Sequence, residues 1–123
     1  MLSATHDRAY QDFLTLLTRF SQLMSAQQQK IDLIGVAQQF EELAIYFETH
    51  ILPLDCTGIA SEFCSRWQSI QREILREYKL LSIDKIFLSS ARQQTTQNAR
   101  IKNISDRLTK LIGYCQIMLK DNN

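Results

Sequence analysis

Residues 101 to 118 read IKNISDRLTKLIGYCQIM. Ile101, Ile104, Leu108, Leu111, Cys115 and Met118 recur at alternating steps of three and four. That spacing draws one apolar stripe along an α-helix and leaves the other faces to polar residues. Gly113 weakens such a helix by about 1 kcal/mol relative to alanine without ending it. The pattern predicts a helix from about Thr96 to Lys120 that buries one side against other helices.

Working back from it, residues 87 to 100 read FLSSARQQTTQNAR, a polar run with no glycine or proline. It reads as a helix end, a corner and a helix start. Arg92 would oppose the negative end of the preceding helix dipole, and Thr95 or Thr96 would cap the helix that follows. Upstream, Phe63, Trp67, Ile70 and Ile74 begin the stripe of a long third helix, from near Ile59 to about Arg92. LPLDCTG (52–58) is the clearest loop. Pro53 there stops a second helix that carries Leu33, Val36, Phe40, Leu43, Phe47 and Ile51. Asp32 is placed to cap that helix. The first helix, residues 4 to 25, carries Tyr10, Phe13, Leu17, Phe20 and Met24, and SAQQQK (25–30) is the polar joint after it.

Four stripes on short links predict an all-α, antiparallel helical bundle in a single domain, 1–123. The whole chain of 123 residues has three glycines and one proline, too few for the tight turns of a sheet-rich fold. One irregularity interrupts the pattern. After Ile74 the heptad points Glu77 and Asp84 inward, while apolar residues shift to Tyr78 and Leu81, with Leu80, Ile83 and Phe87 in a second row. Either the stripe rotates and other chain covers the extra face, or the end of this helix carries an apolar patch for self-association or a partner.

Net charge is +1, unevenly spread. Up to Glu62 three basic residues stand against eight acidic ones; from Phe63 onward eleven stand against five. Acidic and basic helices could pack side by side, or a basic face could meet an acidic partner. No apolar run reaches the roughly 18 to 20 residues that cross a bilayer. MLSATHDRAYQD lacks the basic flank and apolar core of a secretory signal, so the expected compartment is the cytoplasm.

Little here suggests chemistry. Three cysteines (Cys56, Cys64, Cys115), an odd number with no Cys-x-x-Cys pair, argue against a disulfide framework and a thiolate zinc site. Cys115 lies within an apolar stripe and reads as a buried thiol. His50 falls at the edge of the second stripe, where partial burial is expected, and has no second histidine or acidic cluster to share a metal. No phosphate-binding glycine loop or nucleophile signature is present, and Glu41 and Glu48 read as a solvated acidic stripe. The chain is expected to be non-enzymatic and to need no cofactor. Arg72, Arg76 and Lys79 on the third helix, and Arg100, Arg107 and Lys110 on the fourth, could meet phosphates. The low net charge and the absence of aromatics among these arginines make nucleic-acid binding the lesser alternative.

The segment LLSIDKIFLSSARQQTT (80–96) and the later Arg107-Leu108, Leu111-Ile112 and Tyr114-Cys115-Gln116 resemble the cyanobacterial heterocyst-frequency control protein PatD family. Ile51 to Asp55 and Phe40 to Phe47 fit the same pattern. The specific part is Asp84-x-x-Phe87-Leu88-x-x-Ala91-Arg92-Gln93; Ser89-Ser90 departs from the Gln-Ala of the family. The resemblance implies a small regulator of cell division or heterocyst patterning that binds the tubulin-like division protein FtsZ. The candidate contact residues are Asp84, Phe87, Arg92, Gln93, Arg100 and Arg107. Asp84 and Arg92 share a helix face but lie too far apart, roughly 12 Å, for a direct ion pair. Each therefore needs another partner. The remaining alternative is a structural homodimer joined through the apolar end of the third helix.

Overall fold

Helix α1 spans Ala4–Ser25, and Ser3 caps it by accepting from the His6 amide at 3.2 Å. Its stripe of Tyr10, Phe13, Leu17, Phe20 and Met24 is buried, as its spacing predicts. The computed structural model describes residues 2–26 and 31–120, so residues 27–30 of the SAQQQK joint lie outside the described residues.

Helix α2 spans Leu33–Tyr46. Asp32 caps it, with its carboxylate accepting from the Gly35 amide at 2.9 Å. The chain then widens into one π-helical turn, Phe47–Ile51, closed by the Leu52 amide on the Phe47 carbonyl at 2.8 Å. Pro53 follows immediately and cannot extend the ladder. Because the turn ends there, the Ile51 carbonyl is free to accept from the Leu54 amide at 3.1 Å and from Gln71 Nε2 at 3.0 Å. Gln71 in turn accepts from the Tyr10 hydroxyl at 2.6 Å. This buried chain of hydrogen bonds ties three elements together, and each of its polar groups is matched. The Trp67 indole lies beside the Tyr10 hydroxyl, its N–H without a hydrogen bond of normal geometry.

The joint that follows is anchored by His6, which is buried. One ring nitrogen of His6 meets the Asp55 carbonyl at 2.7 Å, the other meets the Ser3 hydroxyl, and the ring stands edge-on to Trp67. Gly58 sits at φ +85°, in the left-handed region where a side chain is strained, and a Cβ there would meet Ser3 at 3.2 Å.

Helix α3 spans Ser61–Ser90, about 45 Å long. Helix α4 spans Gln94–Lys120. Helix α1 packs on α2 and α4, α3 packs on α4, and α2 meets α3 only along a narrow line. Within α4, Ile101, Ile104, Leu108, Leu111, Cys115 and Met118 are all buried. The chain is an all-α helical bundle with neighbouring helices antiparallel.

The structure corrects several expectations. Helix α3 is two residues shorter at each end, so no basic residue lies in its last turn and Arg92 stands beyond it. Helix α4 starts at Gln94, which puts Thr95 and Thr96 inside the first turn; the Gln97 side chain instead donates to the Ala91 carbonyl at 3.1 Å. His50 is exposed, with its ring 4.5 Å from that of Tyr46. The largest correction concerns sulfur. Cys56 and Cys64 form a disulfide, their Cα atoms 5.8 Å apart, while Cys115 is free and buried. An odd count weighs against a framework of many bridges, but it has no bearing on one bond joining a loop to the first turn of the next helix.

The ring closed by Cys56 and Cys64 is small, and chain-entropy reasoning gives it roughly 2.5 kcal/mol. None of the fully buried helix-stripe side chains belongs to that ring. Cys56→Ser/Cys64→Ser is therefore expected to lower the melting temperature by about 5 to 10 °C while the far-ultraviolet circular dichroism stays that of a helical bundle. Matching melts with and without reductant check this in the unmodified chain.

Candidate partner-binding corner

The corner is built where α3 hands over to α4. Heptad spacing carries Glu77 and Asp84 to the inner face of α3, between Ile74, Leu81 and Leu88. Glu77 is fully buried and Asp84 nearly so. The stripe does not rotate to avoid them; α4 supplies their counter-charges. Arg107 Nη1 stands 3.2 Å from Glu77 Oε2, and Lys110 Nζ stands 3.9 Å from Oε1. Arg76 Nη2, from α3 itself, reaches Oε1 at 3.4 Å. Asp84 faces Arg100 Nη1 and Arg107 Nε, each at 3.5 Å. The last pair makes no hydrogen bond, so Asp84 Oδ2 and Arg107 Nε are matched by charge alone.

The pairs 77 with 107 and 84 with 100 fix the antiparallel register of α3 on α4. They also account for part of the basic charge in this half of the chain. The basic stripe of α4 is spent on the acids of α3, which belong to the same C-terminal half, so these pairs do not match the acidic half of the chain with the basic one.

The side chains singled out by sequence therefore separate into two groups. Asp84, Arg100 and Arg107 face one another and lock the two helices. Phe87, Arg92 and Gln93 are exposed around the corner. Phe87 is 46% exposed on its outer side, and the Arg100 guanidinium lies 4.5 Å from its ring centroid, a cation–π contact that holds the ring in place. Ile83 and Ile86 are exposed beside it, so the end of α3 does carry an apolar patch. The joint Ala91–Gln93 is extended at Ala91, and the Gln93 carbonyl takes the Gln97 amide at 2.9 Å.

A second polar cluster, which the sequence did not single out, lines a cleft of about 480 Å³ between α1 and α2. There the Tyr46 hydroxyl donates to the Ala9 carbonyl at 3.2 Å and lies 3.5 Å from the Asp12 carboxylate. Arg19 and Glu42 pair loosely at 3.9 Å on its rim. Burial, then the Asp12 charge, pushes the Tyr46 phenol up to about 12. Such a phenol keeps its proton at neutral pH and donates. The signal for this cluster is tertiary: residues 12 and 46 meet only when α1 and α2 pair.

The phenol supplies a prediction about alkali. A group whose folded pKa is raised holds its proton more tightly in the native state, so its contribution is complete below the unfolded value of 10 and is lost as pH climbs toward about 12. Denaturation midpoints should fall through that interval, and less steeply in Tyr46→Phe. Tyr10, raised more strongly by burial, adds to the same fall in both proteins.

Among the described residues, no cluster of three or more His, Cys, Asp or Glu side chains is arranged to hold a metal, and no helix is long and apolar enough to cross a membrane. Comparison with family models, curated proteins and solved structures finds no match for the chain.

Proposed function

We propose that the chain is a small non-enzymatic regulator of the PatD type, acting in the cytoplasm by binding the tubulin-like division protein FtsZ. One observation carries the reading. The segment on which the resemblance rests forms the end of α3 and the corner, with Asp84 turned inward as an anchor and Phe87, Arg92 and Gln93 turned outward. An apolar ring clamped by an arginine, flanked by a free-standing cation and an amide, suits contact with a protein surface. In a reducing cytoplasm the Cys56–Cys64 bond would spend time as a dithiol.

Co-sedimentation with FtsZ polymers tests the assignment. Wild type should pellet with the polymers, and Phe87→Ala and Arg92→Glu should pellet less. Asp84→Lys is the wrong probe, because it would break the α3–α4 lock. If wild type stays in the supernatant at background level, the partner is not FtsZ; if both surface variants pellet normally, the contact lies elsewhere on the bundle.

A second reading, nucleic-acid association, draws on Arg72 and Lys79, which are exposed on the outer face of α3. It has lost the basic stripe of α4 to internal pairing. Salt-dependent retention on duplex DNA, abolished in Arg72→Glu/Lys79→Glu, would favour it.

A further inference from the structure

Large apolar side chains are exposed very unevenly. Leu33, Ile34, Ile45, Leu52, Phe63, Ile83, Ile86 and Phe87 all belong to α2, α3 or the chain between them; among the described residues only Ile117 lies outside that half. On α2 the outward residues Ile34, Glu41 and Ile45, with Glu48 in the π-helical turn that continues it, follow steps of seven, four and three. On α3 the outward residues Arg72, Lys79, Ile83 and Ile86 follow the same steps. These are coiled-coil seams facing away from their own core. The first mixes apolar with acidic groups and the second apolar with basic ones. No Lys or Arg occurs anywhere in residues 33 to 52. Among the described residues Glu41, Glu48, Arg72 and Lys79 enter no ion pair within the chain.

We propose that this face binds a second copy of the chain in a twofold dimer, with α2 of each copy lying across α3 of the other. A rotation axis parallel to the helices carries α2 over α3 without moving any residue along the bundle. Levels within one chain therefore give the pairs between chains. Tyr78 stacks against both Phe47, at 3.7 Å, and Phe40, at 6.3 Å; Phe40 also lies near Lys85, and Gln71 bonds the Ile51 carbonyl. Interpolating between these, Glu41 stands within one turn of Lys79, Glu48 within one turn of Arg72, and Ile34 within one turn of Ile86. Each acid thus comes within reach of a base and Ile34 lies near Ile86 in one register, twice per dimer, as an isologous interface requires. Between the seams runs a shallow groove of about 540 Å³, floored by Phe47, Leu75 and Tyr78, which the partner would cover.

Pairing α3 with α3 through its apolar end is the poorer arrangement. It would bury Ile83 and Ile86 but leave Ile34, Ile45 and Leu52 in water and the charges of both seams unmatched. The α2-on-α3 contact answers both, with apolar area supplying affinity and charge choosing the register. This inference is independent of the FtsZ assignment.

Sedimentation equilibrium of the full chain over a concentration series tests it. Wild type should reach twice the chain mass and dissociate more readily as salt rises. Glu41→Lys/Glu48→Lys gives a copy basic on both seams, and Arg72→Glu/Lys79→Glu gives one acidic on both. Each alone should shift the monomer–dimer midpoint to roughly tenfold higher concentration or more, and an equimolar mixture of the two should recover the dimer. All four residues are exposed, and circular dichroism verifies that the variants stay helical. A wild type that remains monomeric throughout overturns the proposal. So does a dimer indifferent to both charge reversals, a mixture that fails to recover, or an open-ended series of larger species.

Discussion

Glu77→Ala is expected to destabilise the bundle by about 3 kcal/mol, lowering the melting temperature by on the order of 10 °C. The side chain is wholly buried and is the meeting point of Arg107, Arg76 and Lys110. Removing it leaves the Arg107 guanidinium, itself only 28% exposed, facing a small void with Asp84 as its remaining counter-charge. The loss comes from that stranded cation more than from the strength of the pair. Glu77→Leu combined with Arg107→Leu should therefore sit much closer to wild type than either single change, since replacing a whole buried ion pair with apolar groups is often neutral. Thermal or urea denaturation of the four proteins completes a double-mutant cycle. A double variant as unstable as the sum of the singles would mean that the charges do not act as a pair.

Phe13→Ala should cost about 3 to 5 kcal/mol, among the largest losses expected from a single core truncation here. Phe13 is inaccessible to solvent on α1, the helix that touches both α2 and α4, and its ring centroid lies 5.6 Å from that of Phe47. Phe47 opens the π-helical turn, so the cavity would form where the backbone is already irregular and least able to collapse around it. Phe13→Leu retains most of the volume and should lose less than half as much. Calorimetric melts of the two variants separate a volume effect from a general intolerance of the position. Equal destabilisation would contradict the cavity account.

How far the sequence was legible depends on the range of the interaction. Helix α1 and the Asp32 cap follow from spacing and local chemistry, and the structure places both as spacing predicts. The start of α4 was missed because threonine's capping preference competes with Gln97, whose side chain reaches back to the corner. Heptad spacing alone points Glu77 and Asp84 inward but leaves open whether the stripe rotates or the end of α3 carries an apolar patch. What was missing was the register of α4, which brings Arg100 and Arg107 to the same levels. That register also divides the candidate contact residues, withdrawing Asp84, Arg100 and Arg107 into the lock and leaving Phe87, Arg92 and Gln93 outside. The Cys56–Cys64 bond and the Tyr46–Asp12 contact depend on how the chain turns, which parity and periodicity do not encode.

The narrow line between α2 and α3 has a consequence for how the molecule breathes. Helix α2 leans on α1 and scarcely on α3, whereas α1 and α4 are each held by two broad faces. Transient opening should begin by swinging α2 outward, so deuterium should enter its amides well before those of α1 and α4. A copy seated across that seam would slow the uptake, making the protection of α2 depend on protein concentration.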